Sequence, residues 1–324
     1  MAKLAAAMSP FVEPDTPRLA PAKFRDPAVT ATGKPRARVS VTELRTLWFN
    51  TGTLCNLACA NCYIESTPRN DALVYLAATE VAAYLDEFAD VAPGPREIGF
   101  TGGEPFLNRD LAAMLEDVMS RGHRALVLTN AMRPMRLHET DLLNLRARHG
   151  ARLTFRVSLD HYTSAIHEAE RGGGSWAPAI DGLRWLSRNG FHATVAGRHS
   201  VGESESCARA GYARMFAAQG LPLGIDPSDL VLFPEIDPEA DVAEITDACW
   251  GILGVQPASM MCATSRMVVK RKGAARPAVV ACTLLPYAPE FDMGSTLRSS
   301  LGDVSLNHPN CARFCVLGGA SCSH

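Results

Sequence analysis

The sequence predicts an α/β fold, a parallel sheet with helices on its outside, followed by an irregular region that carries cysteines. Three observations support this. Between Leu44 and Ala196, apolar strand-like runs alternate with helix-length stretches, the pattern of a parallel sheet covered by helices. After about Asp226 the texture changes to proline-punctuated segments such as Phe233-Pro-Glu-Ile-Asp-Pro238 and Leu284-Leu-Pro-Tyr-Ala-Pro289. Most of the ten cysteines gather in one front group and one tail group.

The strand-like runs are Leu44 to Asn50, Glu97 to Thr101, Ala125 to Thr129, Leu153 to Ser158 and His192 to Ala196. Helical periodicity lies between them, around Thr79 to Ala89, Asp110 to Arg121, Glu139 to His149 and Ala177 to Asn189. In the tail, Met267 to Lys272 and Ala278 to Cys282 flank Gly273-Ala-Ala-Arg-Pro277, which reads as a β-hairpin with Gly273 in the turn. Residues 1–40 are rich in Ala and Pro without sustained periodicity, so a mobile or loosely draped arm is expected there. The expected division is this arm, a core domain over residues 41–240 and a cysteine-bearing domain over residues 241–324.

With 324 residues the chain can bury a sizeable core. Thirty-two basic residues against 34 acidic ones give a formal charge of −2, leaving no polybasic field for nucleic acid or an anionic membrane. Pro10, Glu13, Pro14 and Asp15 interrupt the short apolar N-terminus before an export signal or membrane span can form, so a cytoplasmic protein is expected. In a long chain without an export signal, ten cysteines point to metal or cluster ligation before disulfides.

The loop after the first strand reads Cys55-Asn-Leu-Ala-Cys59-Ala-Asn-Cys62, a C-x3-C-x2-C spacing. Three thiolates on one short loop can hold three corners of a cubane and leave the fourth iron open to an outside molecule. A structural zinc knot is the competing reading, but it usually wants four ligands and closer C-x2-C pairs. Gly102 and Gly103 permit a tight bend with close backbone approach, and the carboxylate of Glu104 can pair with an ammonium group. Without the cysteines, Glu104 would read as a surface carboxylate in a turn.

These residues resemble the radical S-adenosylmethionine (SAM) superfamily. The cysteine motif, Glu97-Ile-Gly-Phe-Thr-Gly-Gly-Glu-Pro105, Thr129-Asn130-Ala131 and Val157-Ser158-Leu159-Asp160 follow the family's order. The resemblance implies a partial (β/α)6 barrel with a [4Fe-4S] cluster on Cys55, Cys59 and Cys62. It also implies SAM held at its amino group by Gly102, Gly103 and Glu104, with Ser158 at its ribose or carboxylate and Asn130 facing the same cavity. Arg198, at the end of the fifth strand, is a candidate donor to the SAM carboxylate; a solvent-facing arginine is the alternative. Many members have an aromatic residue just before the third cysteine, where this chain has Asn61, with Tyr63 following instead. In the family mechanism SAM is cleaved to a 5′-deoxyadenosyl radical, which abstracts hydrogen from substrate.

Cys262, Cys282, Cys311, Cys315 and Cys322 form the tail group. This region resembles the SPASM and shorter Twitch extensions of the same enzymes, which implies an auxiliary [4Fe-4S] cluster. Five candidates suffice for one fully ligated cluster with one thiol to spare, zinc and free buried thiols being the alternatives. Cys207 and Cys249 stand alone and read as buried structural thiols. The expected activity is hydrogen abstraction from a small-molecule substrate, a secondary metabolite or sugar-like compound. The alternatives are a peptide-modifying maturase and a non-catalytic metal-binding scaffold. The preference for a small molecule rests on the N-terminal arm, which is short for the leader-peptide binder often fused to peptide maturases. An electron donor such as flavodoxin or ferredoxin is the further partner implied.

Overall fold

The structure, a computed structural model, describes residues 17–234, 237 and 239–321. Its strands and helices run β1 (Arg38–Val39), β2 (Thr46–Asn50), α1 (Ala78–Val91), β3 (Glu97–Thr101), α2 (Leu111–Ser120), β4 (Arg124–Thr129), α3 (Arg133–Arg136), α4 (Glu139–His149), β5 (Leu153–Ser158), α5 (Ser164–Arg171), α6 (Trp176–Arg188), β6 (His192–Arg198), α7 (Glu205–Gln219), β7 (Leu230–Phe233), α8 (Asp247–Leu253), α9 (Met261–Thr264), β8 (Ser265–Val269), β9 (Ala278–Val280) and β10 (Val304–Ser305). A π-helical turn, Cys311–Val316, follows β10.

Strands β2 to β7 lie side by side in chain order and all parallel, each crossing to the next through helix. This is the expected α/β arrangement, a partial (β/α)6 barrel whose sheet remains open. On the other side of β2, β8 adds in parallel and β9 ends the sheet antiparallel to β8.

Alternation along the strands divides the molecule into two cores. Outward residues such as Leu47, Phe49, Phe100, Phe155 and Val157 pack beneath the helices. The helices answer with helical spacing: Val81, Tyr84, Leu85 and Phe88 on α1, and Leu111, Met114, Leu115 and Val118 on α2. Inward residues Trp48 and Leu126 join a second core with Met261, Cys262, Met267, Phe291, Phe314 and Val316. The C-terminal region therefore packs against the inner face of the barrel sheet.

The hairpin β8–β9 forms as predicted and extends the barrel sheet beside β2, with the second core packed against it. The described part of the expected arm, residues 17–40, is not draped loosely. β1 pairs with β10, and the buried Arg36 donates from Nη2 to Glu244 Oε1 at 2.6 Å. Glu244 also accepts from the backbone N–H groups of Phe24 and Ala31. A two-residue strand has no period to read, which is why this contact was invisible in sequence.

Further elements were not anticipated, among them β7, α7 and α5. β7 is four residues long and runs directly into Pro234, so it read as part of the irregular region. α7 buries Ala208 and Gly211 beside Tyr212, Met215 and Phe216, and the two small residues blur its apolar stripe. α5 buries His167 and Glu170, polar residues that give no hydrophobic signal. Cys207, expected to be buried, is exposed on the first turn of α7.

Candidate functional site

The C-terminal ends of the parallel strands surround a cavity of about 180 Å³. Cys55, Cys59 and Cys62 from the loop after β2 line it together with Gly102, Gly103, Asn130, Ser158 and Arg198. Backbone N–H groups are already turned toward two of the sulfurs, Leu57 to Cys55 Sγ at 3.4 Å and Ser66 to Cys62 Sγ at 3.2 Å. Burial pushes the Cys55 thiol up to about 12 and raises Cys59 as well, Arg171 partly offsetting the second shift. Cys55 and Cys59 are poor thiolates by themselves, and iron would supply the missing positive charge. Among the described residues no three His, Cys, Asp or Glu side chains are spaced for a single metal ion; the ligands of a cluster instead hold separate corners.

The glycine pair lets the turn after β3 lie directly against the main chain of the cysteine loop. Gly102 adopts φ 141°, and a Cβ on Gly103 would lie 2.1 Å from the carbonyl oxygen of Leu54. The Gly103 and Glu104 N–H groups donate to Gly52 O and Leu54 O, so the glycine turn and the cysteine loop are sewn together. Ala131 holds φ 56° just past β4, fixed by its N–H bond to Thr129 Oγ1 at 3.0 Å, and this strained corner sets the height of Asn130.

Glu104 does not line the cavity but lies buried beneath it. Its carboxylate accepts from Thr129 Oγ1 at 2.8 Å, Asn130 N at 2.9 Å and Phe106 N at 3.3 Å, ordering two residues that do line the cavity. Burial pushes its carboxyl up to about 7, against the pull of those donors. Gln at this position offers one acceptor where three donors converge, and Glu104→Gln is expected to cost roughly 1–3 kcal/mol and weaken SAM binding with the cysteines intact. The raised carboxyl also sets a pH dependence. Its stabilising contribution is full below its ordinary value of 4.5 and is lost as pH rises through about 7. Thermal denaturation of wild type from pH 5 to 8 should show that loss relative to the Gln variant, and parallel curves would refute it.

A buried cluster of two arginines and two carboxylates, Arg171 and Arg198 with Asp160 and Glu170, closes the far side. Arg171 reaches Asp160 Oδ2 at 2.8 Å from Nε, and Arg198 Nε lies 3.6 Å from Asp160 Oδ1. Burial alone would raise the Asp160 carboxyl, but Arg171 and Arg198 outweigh it and hold it below its usual range. Arg198 donates to Asn61 O at 3.2 Å, and Asn61 N donates to Glu170 Oε1 at 2.7 Å, tying the cysteine loop to β6 and α5. Arg198 is therefore buried at the cavity wall, and the solvent-facing alternative does not hold. The Tyr63 ring lies 5.0 Å under the Arg198 guanidinium and its hydroxyl donates to Pro234 O, so the aromatic after the third cysteine lines the cavity in spite of Asn61. Arg156, Asp160 and Arg171 are lining residues that the sequence reading did not single out. For Arg156 a signal existed: it shares the inward face of β5 with Ser158, two positions on.

A second, small cavity of about 20 Å³ is lined by Cys262, Cys282, Cys311 and Cys315 among Met260, Met261, Leu285, Phe291 and Leu306. Cys262 comes from α9, Cys282 from the end of the hairpin, and Cys311 and Cys315 from the π-helical turn. Burial raises the Cys262 thiol to about 11 and Cys311 well above the ordinary thiol range, with Cys282 and Cys262 adding repulsion at Cys311. Cys322 lies outside the described residues. Four thiols in a dry pocket fit a fully ligated cluster, and Leu284 lines both this cavity and the first.

Comparison with known proteins agrees with this geometry. The family model described as "Radical SAM superfamily" matches residues 49–206. The subtilosin biosynthesis protein AlbA of Bacillus subtilis is 32% identical over 143 residues, 44% of this chain and 30% of AlbA. The mycofactocin maturase MftC of Mycobacterium ulcerans is 28% identical over 163 residues, 48% of this chain and 40% of MftC. The matches thus span less than half of either curated relative. In fold, the chain is similar to Streptococcus suis SuiB bound to precursor peptide SuiA, with TM-score 0.56, 12% identity and coverage of 81% of this chain and 64% of that one. The cysteine loop, the glycine turn and the strand-end residues thus all meet at one cavity inside the span, residues 49–206, that matches the radical SAM superfamily.

Proposed function

We propose that the chain is a radical SAM enzyme acting on a peptide, with one [4Fe-4S] cluster on Cys55, Cys59 and Cys62 and an auxiliary cluster on Cys262, Cys282, Cys311 and Cys315. The observation that carries the peptide reading is an open trough of about 520 Å³ beside the first cavity. The trough shares Cys62, Tyr63 and Leu284 with that cavity and is otherwise lined by residues such as Asn61, Tyr287, Asn310 and Arg313. An extended chain fits a trough that delivers one residue into an enclosed site. The name of AlbA, a bacteriocin biosynthesis protein, and the SuiA peptide bound to SuiB support the same reading over the small molecule expected from sequence.

When bound, the first cluster and SAM supply a one-electron cleavage of SAM and the abstraction of a substrate hydrogen. The chain's own residues orient and enclose. Gly102 and Gly103 bring main chain to the cavity at the SAM amino end, Asn130 and Ser158 offer polar side chains along its length, and Arg198, held in place by Asp160 and Glu170, is the donor for its carboxylate. Leu128, Phe233 and Leu284 form apolar wall that keeps water from the reacting atoms. Reduction of both clusters is assigned to a flavodoxin or ferredoxin. No described helix is long and apolar enough to cross a membrane.

The test uses hydrogen provenance. Reconstituted protein, SAM and reductant are mixed with a deuterated lysate of the source cells, divided by ultrafiltration into peptide-sized and small-molecule fractions. Deuterium should enter 5′-deoxyadenosine with the peptide fraction. Transfer from the small-molecule fraction alone would overturn the peptide reading and leave the radical SAM assignment standing.

A further inference from the structure

Arg266, the second residue of β8, is fully buried beside the four-cysteine cavity. Among the described residues its guanidinium donates only to main-chain carbonyls: Nη1 to Cys262 O at 2.5 Å and Ser265 O at 2.7 Å, Nε to Ser300 O at 2.7 Å, and Nη2 to Gly302 O at 3.3 Å. Those bonds satisfy its donors but leave its charge unbalanced. The buried ion pairs elsewhere show what this chain otherwise does: Arg36 meets Glu244, and Arg171 meets Asp160. The ionisable groups that act on the Arg266 guanidinium are the thiols of Cys262 and Cys282, which carry negative charge only as thiolates, while burial pulls its proton affinity down. A bare cation in an apolar interior is costly unless an anion sits close by. A cluster held by four thiolates is such an anion, and it gains one more negative charge on reduction.

We infer that Arg266 is the buried counter-ion of the auxiliary cluster, a positioning residue that raises that cluster's reduction potential and leaves the protein unbalanced when the cluster is absent. The inference rests on the reading that a cluster occupies the second cavity. Arg266 touches the cluster's ligand residue through Cys262 O and is not itself a ligand. Its four carbonyl bonds also join the start of β8 to residues 300–302, so a purely mechanical role as a clamp is the alternative to separate.

The experiment is done in the Cys55/Cys59/Cys62→Ala background, where only the auxiliary cluster remains. Iron content and the reduced cluster's EPR signal first show whether that cluster is present; if neither appears, the reading of the second cavity fails and the inference with it. With the cluster present, Arg266→Met should shift its midpoint potential downward, because removing a positive neighbour disfavours the added electron. Arg266→Lys keeps the charge but loses most of the clamp, and its potential should stay near that of the parent. The second readout is a change of sign in stability: Arg266→Met should lower the melting temperature of cluster-loaded protein and raise it when Cys262, Cys282, Cys311 and Cys315 are all Ala. An unmoved potential in Arg266→Met with the cluster intact, or an equal loss of melting temperature in both backgrounds, would make Arg266 a clamp only and overturn the inference.

Discussion

Replacing Cys55, Cys59 and Cys62 together with Ala is expected to abolish 5′-deoxyadenosine formation and remove about four irons per chain. These thiols are the three cysteines at the first cavity, and no other described cysteine lines it. The substitution removes ligands without disturbing the frame that positions them. The Gly103 N–H to Gly52 O bond and the Glu104 N–H to Leu54 O bond are main-chain contacts, and Glu104 still holds Thr129 and Asn130. The barrel should therefore keep its far-UV circular dichroism while cleavage of SAM disappears. Wild type, reduced anaerobically with SAM, is expected to form the product even without its substrate. Cleavage at the original rate in the triple variant would remove the first cluster from this loop.

The second large effect is expected from the other end of the chain. Cys262/Cys282/Cys311/Cys315→Ser should also lose about four irons, but it should retain SAM cleavage and lose modified substrate. The two cavities are separate, joined only at Leu284 among their lining residues, and none of the four tail cysteines lines the first. Because these cysteines belong to the inner core with Trp48 and Phe314, thermal denaturation must accompany the assay to show that the barrel survives. A variant that keeps its full iron would place the auxiliary cluster elsewhere. One that modifies substrate at the wild-type rate would leave the cluster without a part in the reaction.

How much of this was legible in sequence depends on how local each feature is. Cys55, Cys59 and Cys62 sit within one loop, and Gly102-Gly103-Glu104 ends one strand, so spacing alone brought them forward. Asn130 and Ser158 came forward only through the family resemblance of Thr129-Asn130-Ala131 and Val157-Ser158-Leu159-Asp160, and parallel strands bring both to one rim. Arg171 was not legible, since it lies at the end of α5, a helix that buries His167 and Glu170 and so shows no apolar stripe. The inward turn of Glu104 was also hidden. Its partners Thr129 and Asn130 belong to another strand, and only the fold reveals that they claim its carboxylate. In the tail, five cysteines could be counted, but their grouping is tertiary: Cys262 precedes the hairpin and Cys311 follows β10, so no spacing rule joins them. The arm was misread for the same reason, because Arg36 finds its counter-charge at Glu244, far along the chain.

The placement of β8 beside β2 also governs how this protein is made. β2 feeds the loop of the first cysteine motif, and its two neighbours are β3, which follows soon after, and β8, which comes near the end of the chain. During synthesis Leu47, Trp48 and Phe49 therefore wait as an unpaired, apolar edge until residues 265–269 have emerged. Non-local parallel pairing of this kind is slow to form, and the waiting edge invites association with other nascent chains. The second core closes at the same late moment, since Trp48 packs with Met267 and Phe314. Until then the thiols of the first loop are without that inner packing and open to air. Slow expression at low temperature with iron and sulfide supplied before the chain is harvested should consequently yield more cluster-loaded protein than later reconstitution of chains that completed folding without iron.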